Sequence, residues 1–168
     1  MKKFFFYLPL ALLLSCGGQD PSNLPISVAS YFKVESIVGC SSRSSDDKKG
    51  NEFNNKYCDH WHTWIGVIDL VESDEVSINC DLKGTQDLQI DFANEKAGYN
   101  LKKGDVICVK FVLRDLGGCW LPYGGDNAII IEHASITDED KALELLSKLY
   151  AQIRDFDKPT VSLSEQKA

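Results

Sequence analysis

The chain has 168 residues and a formal charge of −7, with 25 acidic side chains against 18 basic ones. That length holds one ordinary domain. Its acidity opposes both the counterion release that drives non-specific nucleic-acid binding and adhesion to anionic headgroups, so nucleic acid is disfavoured as a partner.

At the N-terminus, Lys2 and Lys3 precede the apolar run Phe4 to Leu14, and the small Ser15 stands before Cys16. This is the layout of a cleavable secretory signal. The run is too short for the roughly 20 residues that a spanning helix needs, which sets aside a transmembrane anchor; a plain secretory signal is the other reading. Leu13-Leu14-Ser15-Cys16 resembles the lipobox of bacterial lipoproteins. The resemblance implies cleavage before Cys16, a diacylglycerol on its thiol, and a mature chain anchored in a membrane of the cell envelope. Gly17, where many lipoproteins retained in the inner membrane carry aspartate, leans towards the outer membrane if the source has two. Loss of residues 1–15 leaves 153 residues and takes the charge from −7 to −9. Residues 16–25 read as the lipidated cysteine and a flexible tether.

Residues 26–159 read as a single β-rich domain. Ile26 to Val38 fits a strand and a short helix equally. The polar insertion 41–57, dense in Ser, Asp and Lys, has no apolar period and reads as a solvated, mobile loop. Strand-like runs then recur over 64–71, 75–82, 88–93, 105–114 and 128–136. Within the fourth, Ile107, Val109, Phe111 and Leu113 share the core face and Cys108 and Lys110 the opposite one. Cys80 shares the face of Val76 and Ile78 and reads as a core thiol. Leu116 to Asp126 is a glycine-rich loop between the last two strands. Thr137 caps a helix over about 138–155, whose Ala142, Leu145, Leu146 and Leu149 form one apolar stripe. The tail 160–168 reads as loose.

Five strands and a C-terminal helix predict a small five-stranded barrel of OB type; another small antiparallel barrel or a sandwich is the alternative. Leu101-Lys102-Lys103-Gly104-Asp105-Val106-Ile107-Cys108-Val109 is similar to the lead-in to the fourth strand in OB domains of the tRNA-anti-like group. That resemblance implies a ligand face on the second and third strands and neighbouring loops.

Five cysteines follow Cys16, an odd number for an exported domain. Cys40 and Cys58 bracket the polar insertion and are the expected disulfide; Cys108 with Cys119 is the second choice. Cys58, His60 and His62 would share one face of an extended strand, a donor set for zinc or copper. No catalytic motif is present in the sequence. Trp120 and Tyr123, in the glycine-rich loop, are the candidate contacts for a protein, peptide or saccharide. The sequence therefore reads as a lipid-anchored, non-enzymatic binding or structural module. A metal-binding or redox-active lipoprotein using Cys58, His60 and His62 is the first alternative, and an oligonucleotide-binding OB protein the second.

Overall fold

The structure, a computed structural model, describes residues 20–157. The signal, Cys16 and the tail 160–168 lie outside the described residues. Helix α1 (Tyr31–Val38) and helix α2 (Asp46–Lys56) precede strands β1 (His60–Val71), β2 (Glu75–Asn79) and β3 (Leu88–Phe92). A short 3₁₀ turn, Ala97–Asn100, leads to β4 (Val106–Asp115), β5 (Tyr123–Ala134) and helix α3 (Glu139–Asp157). The strands close in the order β1-β2-β3-β5-β4, with β3 and β5 parallel and every other pair antiparallel. The domain is a small OB-like barrel, mainly β, with a C-terminal helix.

Alternation places the core. Trp64 and Ile68 from β1, Val76 and Ile78 from β2, Leu88 and Ile90 from β3, and Ile107, Val109, Phe111 and Leu113 from β4 are all buried. Each strand sends every second side chain inward. Cys80 is fully buried, as its parity predicts. Cys108 does lie on the face opposite the core residues, yet it too is buried: its β5 partner is Glu132, which reaches Lys148 on α3 at 2.8 Å. The helix closes over a strand face that the sequence marks as wet.

Strand ends differ most from expectation at three places, and at one of them β2 stops at Asn79, three residues short. β1 begins four residues early, at His60, and β5 begins at Tyr123, taking in Gly124, Gly125 and Asp126 from the expected loop. In the latter case, Leu88, Gln89 and Ile90 pair with Tyr123, Gly124 and Gly125, so parallel pairing with β3 extends the strand. Small side chains hide that strand from a periodicity reading.

The polar insertion is not a mobile loop. It forms α2, with Asp46 and Asp47 in the first turn and Lys56 in the last, charges that suit the helix dipole. Phe53 is its one buried side chain, and Tyr57, just past it, is buried as well. A helix anchored by a single buried side chain has no apolar period to detect. α1 starts behind Ser30, whose Oγ accepts the Lys33 N–H at 3.3 Å, and buries Tyr31, Phe32, Val34 and Val38. At α3, Asp138 caps in place of Thr137, accepting the Lys141 N–H at 3.4 Å.

Neither expected disulfide forms. Cys40 pairs with Cys119, 79 residues away. Cys40 follows the end of α1, which packs beside the β4–β5 loop, whereas α2 carries Cys58 away to the start of β1. There Asp59 takes the left-handed conformation, φ 57°, and donates its N–H to the Leu113 carbonyl. The Cys58 sulfur lies instead 3.7 Å from the Arg114 carbonyl. Cys108 cannot meet Cys119 because β4 runs on to Asp115, at about 3.4 Å per residue, before the loop begins.

Candidate functional site

The Cys40–Cys119 bond ties the β4–β5 loop to the end of α1, and between them opens a groove of about 680 Å³. Tyr31 and Glu35 from α1, Asp87 ahead of β3, and Trp120, Leu121 and Tyr123 line it. Loop shape follows from its glycines. Gly117 has φ 64°, and a Cβ there would collide with the Pro122 carbonyl. The Gly118 and Leu121 backbones then bond to each other, leaving Trp120 at the apex.

Trp120 is 96% exposed and Leu121 70%. Tyr123, the other aromatic expected to make contacts, is buried instead. It packs edge-on against Tyr31 and Trp64, at ring distances of 6.1 and 5.9 Å, and only its hydroxyl reaches the groove, donating to Glu35 Oε2 at 2.8 Å. Tyr31 donates likewise to Asp87 Oδ1 at 2.9 Å. Burial, with the charges of Asp87 and Glu35 beside them, raises both phenols far above the ordinary tyrosine value, so they stay protonated donors. Asp87 also accepts the N–H groups of Cys80 and Asp81, and burial still pushes its carboxyl above the usual range.

A second pocket, of 360 Å³, shares Gly117, Leu121, Pro122 and Tyr123 with the groove and extends over the outer face of β2 and β3. Its polar lining is Glu75, Gln89, Asp91 and Asp115. Glu75 and Asp91 face each other directly across β2 and β3, a like-charged pair of the kind that weakens a sheet. Gln89 donates to Glu75 at 2.8 Å. Burial first, then the charges of Glu75, Asp126 and Asp74, raises Asp91. Among the described residues, Lys49 is the one cationic side chain that lines either cavity.

The three proposed metal donors do not form a set. The left-handed Asp59 breaks the strand parity that would align Cys58 with the histidines, and the Cys58 sulfur lies 3.7 Å from the Arg114 carbonyl. His60 Nδ1 lies 2.8 Å from the Cys58 carbonyl. His62 is fully buried against Trp64 and Phe111, with Nε2 3.2 Å from the Tyr57 carbonyl. Among the described residues, no three His, Cys, Asp or Glu side chains come together to hold a metal ion.

Tyr31, Glu35, Asp87 and Leu121 were not singled out by sequence. Tyr31 and Glu35 stand four residues apart, one face of a helix, but that segment reads equally as a strand. Comparison of the chain with protein-family models, curated proteins and solved structures returned no match.

Proposed function

We propose that this protein is a lipid-anchored component of the cell envelope whose barrel is a non-enzymatic binding module, with the Trp120 groove and the adjoining acidic face as its ligand surface. Trp120 carries the reading. A tryptophan almost wholly in water is costly to display and useful for contact, and here the loop that bears it is pinned by a disulfide and a backbone that demands glycine. Such pinning reduces the ordering cost of binding. The carboxylates beside it favour a partner with lysine or arginine side chains, a protein or peptide, over nucleic acid. The anchor rests on the Leu13-Leu14-Ser15-Cys16 pattern.

Selection of a random peptide library on the immobilised domain tests the binding role. The native domain should enrich basic sequences. Trp120→Ala should weaken them by about 2 kcal/mol, roughly 30-fold, with its melting temperature unchanged. Enrichment that persists in Trp120→Ala overturns the site. For the anchor, mass spectrometry of the N-terminal peptide from an expressing bacterium should show a diacylglycerol thioether on Cys16. That thioether uses the sulfur, so a Cys16 found in a disulfide instead contradicts the anchor reading.

A further inference from the structure

We propose that the outer barrel face around Trp61 rests on the bilayer in which the acylated Cys16 is embedded, an inference that depends on the lipid-anchor reading above. The first described residue, Asp20, accepts the Ser22 N–H at 2.9 Å and caps the short turn Pro21–Asn23. The Pro21 carbonyl accepts Trp61 Nε1–H at 2.9 Å. The chain is thus fastened to the barrel at Trp61 almost as soon as it leaves the anchor. From Cys16 to Asp20 the chain spans at most about 14 Å even when fully extended. Roughly half of that is used in crossing one headgroup layer. The barrel has no room to stand off from the membrane.

The surface at this point has the composition of an interfacial one. Pro25 to Ser27 pairs with β1 through Trp61 N–H to the Pro25 carbonyl and Ser27 N–H to the Trp61 carbonyl, each 2.8 Å. Ile26, bridged to Trp61, is 71% exposed, and Val28 is fully exposed. Lys110 lies with Nζ 4.9 Å from the centre of the Trp61 ring. Across the sheet, Lys110 pairs with Thr63 on β1 and with Ile129 on β5, itself 48% exposed. Two exposed aliphatic residues, a tryptophan, a lysine and a further isoleucine therefore form one patch. Tryptophan and lysine stems suit the boundary between headgroup and acyl chain. The carboxylates that flank the patch, Asp59 just before β1 and Asp126 on β5, are both held by Arg114. One guanidinium against two carboxylates leaves a single net negative charge there in place of two. The lipid supplies the affinity, and the patch fixes which way the Trp120 groove faces.

The test uses full-length acylated protein on phosphatidylcholine vesicles with brominated acyl chains, which quench tryptophan on contact. In a Trp120→Phe background the emission comes from Trp61 and the core Trp64. Emission should fall relative to unbrominated vesicles, and the fall should vanish in Trp61→Phe, Trp120→Phe. A Val28→Trp probe added to that double variant, at a fully exposed position, should restore the quenching. Flotation and the mass of the Cys16 peptide are read on the same sample. Protein that floats and carries diacylglycerol but shows no quenching at either position overturns the inference and leaves the anchor standing. Protein that carries no diacylglycerol and does not float overturns the anchor and the inference with it.

Discussion

Asp105 holds three parts of the chain with one buried carboxylate. It accepts from His133 Nε2 at 2.9 Å, from the Ile136 N–H and from the Lys102 N–H, each at 3.0 Å. Burial alone would raise its pKa, but the three donors outweigh it and hold the carboxyl below the usual range. A depressed carboxyl contributes stability that is present above the unfolded value of about 3.9 and is lost as pH falls through the folded value. Asp105→Asn should therefore cost about 2 kcal/mol at pH 7, with the gap to the native protein closing below pH 4 in urea melts. His62 acts in a different range. Burial lowers its pKa, outweighing the contact with the Tyr57 carbonyl. Nothing is lost above the ordinary histidine value of about 6.5, whereas below it the unfolded chain takes up a proton that the folded one refuses, so stability declines. His62→Leu should flatten the stability profile between pH 7 and 5. An unchanged slope in that variant would assign the dependence to another group.

The elements on which the groove depends are those that the sequence reads least well. The barrel strands are legible because Ile107, Val109, Phe111 and Leu113, or Leu88, Ile90 and Phe92, alternate against a wet face. α2 has one buried side chain along its length, so its sequence looks unstructured. Phe53→Ala should remove that anchor at a cost of about 3 kcal/mol and leave the segment open to limited proteolysis between Ser41 and Tyr57. The disulfide was misassigned for a related reason, because sequence spacing favours the near partner Cys58 and only the packed position of α1 brings Cys40 to Cys119. In the chain-entropy account, closing a span of 79 residues contributes about 4.5 kcal/mol. Cys40→Ser with Cys119→Ser should lower the melting temperature and expose the loop near Gly118 to cleavage. A loop that stays protected would mean that Gly117 and the bond between Gly118 and Leu121 suffice to hold it.

At the scale of the whole molecule, the exposed Trp120 groove and the acidic pocket adjoin each other. Trp120 was legible as an exposed residue because a glycine-rich loop between strands sits on the surface. Tyr123 was not separable from it in sequence, although β5 pairing draws it into the core. The acidic face was invisible to composition, since 25 acidic side chains say nothing of where Glu75 and Asp91 meet. A partner drawn by that face should bind less tightly as salt rises, and an affinity indifferent to salt would place the weight on Trp120 and Leu121 alone. The most direct measurement is the peptide-library selection on native and Trp120→Ala domains matched for melting temperature. Basic peptides recovered by the native domain and lost in the variant are the expected result; equal recovery by both, or none by either, would contradict a binding module centred on Trp120.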